Sequence, residues 1–95
     1  MAQPNPQHLT EKELLRFIDK SELAQKIIAA VSKAATVIEM AIKTGNEPAS
    51  IQYHLKRFVE HGLIKKSGSY KHIYTLTETG QYYLEKIRPA IYHLL

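Results

Sequence analysis

The stretch from Thr44 to Ile64, which reads Thr44-Gly45-Asn46-Glu47-Pro48-Ala49-Ser50-Ile51-Gln52-Tyr53-His54-Leu55-Lys56-Arg57-Phe58 and continues to Gly62-Leu63-Ile64, constrains the fold more than any other. Gly45 can take a left-handed backbone at the end of a preceding helix, and Asn46 or Glu47 can cap the next one. Pro48 suits the first helical position, where its missing N–H would be unpaired in any case. A helix is therefore predicted from Pro48 to His61. With successive residues about 100° apart, Ile51, Leu55 and Phe58 share one stripe with Val59 at its edge, while Ala49, Ser50, Tyr53, Lys56 and Arg57 fall opposite. One face is apolar; the other is small, polar and basic. Gly62 stops the helix, and Leu63-Ile64 opens an extended apolar segment.

Upstream, residues 1–8 hold two prolines and no periodicity, and are expected to form a flexible tail ahead of a single domain over 9–95. Thr10-Glu11-Lys12-Glu13 fits a capping box that starts a first helix, with Leu14, Leu15, Phe17 and Ile18 on its apolar side and its end near Asp19 or Lys20. Ser21 caps a second helix, Glu22 to Val31, that buries Leu23, Ile27, Ile28 and Val31; fusion of the two into one long helix is the alternative. After a short connection, Ser32 to Ala35, a second capping box at Thr36 and Glu39 starts a helix over Val37 to Thr44, with Val37, Ile38, Met40, Ala41 and Ile42 available for packing.

Downstream, Leu63 to Lys66 and Lys71 to Leu76 read as two strands joined at Ser67-Gly68-Ser69-Tyr70, with Ile64, Ile73 and Leu76 expected to face the core. A hairpin this small must pack on the helices to be stable. Thr77 can cap a last helix over 78–95, in which Leu84, Ile87, Ile91 and Leu94 follow the spacing of a coiled-coil seam, with Tyr83 and Leu95 beside it and Pro89 inside it. That seam either folds back on the first helix or pairs across a twofold axis. The dimer is the expectation, because a lone domain of this length hides only about 60–65% of its extended-chain surface and would leave an apolar patch in water.

Charge is distributed unevenly. The chain has 13 basic and 9 acidic residues, a net charge of +4. The window from Pro48 to Thr77 holds Lys56, Arg57, Lys65, Lys66 and Lys71 against Glu60 alone, so all of the excess lies on the basic helix and the hairpin. That is the distribution a polyanion-binding face requires. A shorter helix, a tight glycine turn and a second helix with a small, basic outer face have the geometry that lays the second helix in the major groove of duplex DNA.

The run Thr44-Gly45, Tyr53-His54-Leu55-Lys56-Arg57, Gly62-Leu63-Ile64, then Tyr74-Thr75-Leu76-Thr77 and Gly80, resembles the winged helix-turn-helix regulators of the ArsR and MarR kind over roughly residues 22–88. The resemblance implies a mostly α fold with a small β-hairpin wing (α+β), extended by N- and C-terminal helices. It also implies a cytoplasmic, nucleoid-associated homodimer that represses transcription and binds double-stranded DNA with one recognition helix per half-site. Half-sites would then lie about 10 bp apart or a small multiple of that. Ala49 would permit close approach, Ser50, Gln52 and Tyr53 would read base edges, and Lys56 and Arg57 would meet phosphates. On the wing Lys65, Lys66, Ser69, Tyr70 and Lys71, with His72, would touch the backbone or minor groove. Leu84, Ile87, Ile91, Leu94 and Leu95 would form the dimer contact. His54, beside Leu55, is expected to bond within the fold instead.

Other chemistries find little purchase. Cysteine is absent, which excludes disulfides, zinc-thiolate sites and thiol catalysis. His54 and His61 share a face but stand about 10 Å apart, too far for one ion. The resemblance raises metal sensing, yet Glu85 and His93 on the last helix lack a paired spacing. No metal, cofactor or small-molecule ligand is expected, and no nucleophile elbow, P-loop or HExxH motif suggests an enzyme. No apolar run is long enough to span a membrane. Two alternatives remain open: a winged-helix module for protein assembly, and an architectural DNA-binding protein with little sequence preference.

Overall fold

Local hydrogen bonding fixes the helix boundaries. In the computed structural model, which describes residues 9–91 and the side chains as far as Ile87, the order is α1 (Glu11–Lys20), α2 (Glu22–Val31), α3 (Val37–Thr44), α4 (Pro48–Glu60), β1 (Ile64–Ser67), β2 (Ile73–Leu76) and α5 (Glu78–Ile91). Both capping boxes form. The Thr10 hydroxyl accepts from the N–H of Glu13 at 3.2 Å while the Glu13 carboxylate accepts from the N–H of Thr10 at 3.0 Å. Thr36 and Glu39 repeat the pattern at 3.2 and 2.9 Å. These bonds, the backbone one foremost, hold both carboxyls below the ordinary glutamate range.

The two N-terminal helices do not fuse. Ser21 adopts an extended backbone, φ −117° and ψ 105°, and its hydroxyl accepts from the N–H of Ala24. The break would strand carbonyls at the end of α1, and the buried amide of Gln25 satisfies two of them, donating to the carbonyls of Ile18 and Asp19 at 3.0 Å each. Gly45, at φ 71°, ends α3 in the left-handed conformation that its lack of a Cβ allows. Glu47, not Asn46, occupies the cap of α4. Its carboxylate makes no capping bond, and Pro48 follows at the first turn.

One core joins every element: Leu14 and Ile18 from α1, Ile27, Ile28 and Val31 from α2, Met40 from α3, Ile51, Leu55 and Phe58 from α4, Leu63 and Ile64, Tyr74, and Tyr83 and Ile87 from α5. On α3 only Met40 is buried, and Ile38 and Ile42, expected to pack, are 60% and 78% exposed. A helix of this length meets the core along a narrow stripe, and residues two positions either side of Met40 point away from it.

β1 and β2 pair antiparallel with Ile64 opposite Leu76 and Lys66 opposite Tyr74. Alternation therefore puts Tyr74 and Leu76 on the core face and turns Ile73 outward, 40% exposed, which corrects its expected inward placement. Tyr74 also exchanges both backbone bonds with Ala35, at 2.8 and 3.0 Å, so the connection after α2 lends the hairpin a third, one-residue edge.

The junction between hairpin and α5 explains the spacing of Thr77 and Gly80. The N–H of Thr77 donates to the Leu63 carbonyl, its hydroxyl donates to the Gly62 carbonyl, and the N–H of Gly80 donates back to that hydroxyl. A Cβ on Gly80 would stand 2.0 Å from the Leu63 carbonyl oxygen, so glycine is required for this close crossing. Beyond it α5 packs across α1 and α2, burying Tyr83 and Ile87. Of the residues expected at a dimer contact, Ile87 is 4% exposed and is used inside the subunit, while Leu84 is only partly buried against the same core. The side chain of Ile91, together with Leu94, Leu95 and the tail 1–8, lies outside the described residues.

Candidate nucleic-acid interface

The apolar stripe Ile51, Leu55 and Phe58 docks α4 on the core and thereby turns the opposite side outward. Ala49, Ser50, Gln52, Tyr53 and Lys56 are all exposed, with Tyr53 58% accessible. No other part of the described chain buries them. Lys65, Lys66, Ser69, Tyr70 and Lys71 are exposed on the hairpin, Tyr70 almost fully. Lys71 also lies near enough to Glu39 to add to the lowering of its pKa, behind the larger effect of Thr36. His72 bonds the carbonyl of Gly68 through Nδ1 at 2.8 Å and so belongs to the turn's own framework.

Arg57 differs from its neighbours. It is half-buried, donates from Nη2 to the Tyr53 hydroxyl at 3.1 Å, and lies 5.6 Å from the Tyr53 ring centre and 5.5 Å from that of Phe17. The guanidinium is thus held between the outward face of α4 and α1. Phe17 in turn stacks on His54 at 5.8 Å and meets Phe58 at 6.3 Å. His54 spends its Nδ1 on the Ser50 carbonyl at 2.9 Å, in keeping with its expected role inside the fold.

Residue patterning missed the part played by α1. Phe17 reads as one more apolar position, and only the i, i+4 spacing of Tyr53 and Arg57 hints at the pair that Phe17 supports. Glu60, the one acidic residue of the basic window, lines a shallow hollow of about 210 Å³ with Tyr53, Lys56 and Arg57, and places a carboxylate at the C-terminal end of the same face. Among the described residues no group of three or more histidine or acidic side chains is placed to hold a metal, and no helix is long and apolar enough to cross a membrane. The surface consequently offers cations, hydroxyls and an aromatic edge around a small residue, which suits a phosphate backbone with base edges beyond it.

No family model matches the chain, and no curated protein matches it. Solved structures do. A MarR family transcriptional regulator from Silicibacter pomeroyi superposes with a TM-score of 0.66 at 24% identity, covering 86% of this chain and 59% of that one. A mutant MarR from E. coli in complex with operator DNA gives 0.67 at 16% identity, covering 83% and 61%. BpsR from Bordetella bronchiseptica, whose DNA binding is regulated by 6-hydroxynicotinic acid, gives 0.67 at 19% identity, covering 90% and 78%. The chain spans about three fifths of the length of the first two. Five helices and an antiparallel hairpin in this order, superposed on these neighbours, give the chain the winged helix-turn-helix fold that MarR-family transcriptional regulators share.

Proposed function

We propose that this chain regulates transcription by binding double-stranded DNA, with α4 in the major groove and the β1–β2 hairpin on the adjoining backbone or minor groove. The observation that carries the reading is the outward face of α4, where Ala49, Ser50, Gln52, Tyr53 and Lys56 stand exposed beside a hairpin that presents Lys65, Lys66 and Lys71. The same face also carries the chain's excess positive charge. Ser50, Gln52 and Tyr53 read sequence; Lys56 and the wing lysines, with Ser69 and Tyr70, hold the backbone. Arg57 contributes charge and also fixes the Tyr53 hydroxyl.

In this reading the protein is a cytoplasmic homodimer and acts as a repressor by occupying a twofold site. Its dimer contact draws on Leu84, Ile91, Leu94 and Leu95, with Ile87 used within the subunit. The reading includes no enzymatic step. The regulation of BpsR by a small aromatic acid makes effector titration a natural companion to the DNA assay, in place of the expectation that no ligand takes part.

The test is binding of the full chain to random duplex across a salt series, followed by selection from a random pool. A regulator binds random duplex with an affinity that falls steeply with salt, and it recovers a palindromic motif. Lys65→Ala weakens binding to all sequences and flattens the salt slope, whereas Ser50→Ala or Tyr53→Ala shifts preference among sequences. Equal losses on selected and random DNA for all three refute the division of roles. Absence of binding in dilute buffer refutes the function.

A further inference from the structure

Between α1 and α4 runs an open groove of about 550 Å³ lined by Arg16, Lys20 and Arg57 together with Phe17, with Glu13 the one carboxylate on its wall. We propose that this groove is a second backbone-binding surface, by which α1 grips the DNA strand flanking the base pairs that α4 reads. The proposal rests on the DNA-binding reading and extends it to a helix outside the recognition helix and wing.

Continuity is the first argument. Arg57 belongs to both surfaces: its Nη2 bonds the Tyr53 hydroxyl on the outward face, while its guanidinium lies over Phe17 on the groove side. On the helix it stands only about 40° round from Tyr53. A strand that leaves the recognition face past Tyr53 therefore meets Arg57 next and the groove directly after.

Charge complementarity is the second. Three cations line the groove beside one carboxylate, and that carboxylate is already engaged, accepting from the backbone N–H of Thr10 in the capping box. Arg16 and Lys20 occur one turn apart on α1, about 6 Å along its axis. Successive phosphates on one strand advance about 3.4 Å along the duplex, so two exposed cations at this spacing match phosphates two steps apart, roughly 6.8 Å along the same strand. The apolar floor provided by Phe17 keeps the Arg57 guanidinium raised and oriented, where a flexible solvated chain would leave it free.

The experiment compares the full chain with Arg16→Gln/Lys20→Gln by fluorescence anisotropy on a long random duplex across a salt series. Lys65→Ala/Lys66→Ala and Lys26→Ala/Lys86→Ala are run alongside. Lys26 and Lys86 lie on other helices, Lys26 paired with Glu22 and Lys86 over the Tyr82 ring, so the last variant removes equal charge elsewhere. The expected result is a fall of about 1.8 in the slope of log affinity against log salt for the groove variant, because two phosphates are no longer neutralised. The Lys26/Lys86 variant should leave that slope unchanged, and all variants should keep the parental helical signal. An unchanged slope for the groove variant beside a reduced one for Lys65/Lys66 overturns the groove and leaves DNA binding standing. An equal drop in the Lys26/Lys86 variant also overturns it, since net charge alone would then account for the effect. If the parent shows no salt-dependent binding, the underlying function fails, and the groove with it.

Discussion

Replacing Gly80 with alanine should destabilise the domain although it improves helix propensity. The added Cβ would lie 2.0 Å from the Leu63 carbonyl oxygen, 2.9 Å from Leu76 Cδ2 and 3.1 Å from the Leu63 carbonyl carbon, against an ordinary contact of 3.4 Å or more. Two of the three atoms are backbone, and the Leu63 carbonyl is held by the N–H of Thr77 at 3.0 Å. Relief therefore requires α5 to move away from the Leu63 carbonyl. Overpacking of this kind costs about 1–3 kcal/mol, and loosening the two Thr77 bonds to Leu63 and Gly62 adds about 1 kcal/mol each. The gain from replacing glycine in a helix is about 1 kcal/mol. The net loss is about 2–4 kcal/mol, which lowers Tm by roughly 10–25 °C in a domain of this size. Thermal melts followed by circular dichroism at one fixed protein concentration measure it, with Gly62→Ala for comparison. That site has open space around its Cβ position and only the strain of φ +78°, so its loss should be smaller, about 1–2 kcal/mol. A Gly80→Ala protein as stable as its parent, or more so, would refute the close crossing, because propensity alone predicts stabilisation.

The capping boxes confer a definite acid sensitivity. Glu13 and Glu39 have folded-state pKa values below the ordinary 4.5, chiefly because the backbone N–H groups of Thr10 and Thr36 favour the charged form. Their contribution is present above that value and is lost as pH falls through the depressed folded values. Glu13→Gln/Glu39→Gln should keep both boxes yet flatten the stability curve below about pH 4.5, read from melts across the acid range. Packing on α3 should be as uneven as its burial: Met40→Ala costs about 2–5 kcal/mol, and Ile42→Gln changes stability by less than about 0.5 kcal/mol, both measured by urea unfolding.

Most of the architecture was legible in the chain because it is written in short-range chemistry. Thr10 with Glu13, Ser21 with Ala24, Thr36 with Glu39, Gly45 before Pro48, and Thr77 with Gly80 are all local devices that act over a few residues, and each marks a boundary that the fold keeps. What failed depended on the third dimension. Ile73 and Leu76 cannot share a face of a strand, so one had to turn outward, and the close approach of Ala35 to Tyr74 gave the inner place to Tyr74. Ile38 and Ile42 have the composition of core residues, but only the position of α2 and α4 decides which side of α3 is covered. On α5 the internal use of Ile87 was not legible, since an apolar spacing is equally consistent with an internal and an external partner until α1 and α2 are placed. For the interface, burial of Ile51, Leu55 and Phe58 was readable from periodicity and exposed the opposite face as a consequence. The role of Phe17 was not, because Phe17 and Arg57 are brought together only by tertiary packing.

That contact couples α1 to the outward face of α4 in an energetic sense that can be measured. Tyr53→Phe removes the hydroxyl bonded to Arg57 but keeps the ring beneath the guanidinium, and an exposed bond of this kind is worth about 0.5–1 kcal/mol. Phe17→Leu removes the stack on His54, the contact with Phe58 and the surface over which Arg57 lies; for a half-buried ring this should cost about 1–2 kcal/mol. If Arg57 is held jointly by the Tyr53 hydroxyl and the Phe17 ring, each change loosens the support the other depends on. A double-mutant cycle on unfolding stability should then show an interaction energy of about 0.5 kcal/mol or more, although the two side chains belong to different helices. The same cycle in the presence of Arg57→Ala should be additive, since the shared group has gone. Additivity with Arg57 intact would mean that the guanidinium takes no fixed position between the Tyr53 hydroxyl and the Phe17 ring, and the path by which α1 reaches the outward face of α4 would have to run through His54 instead.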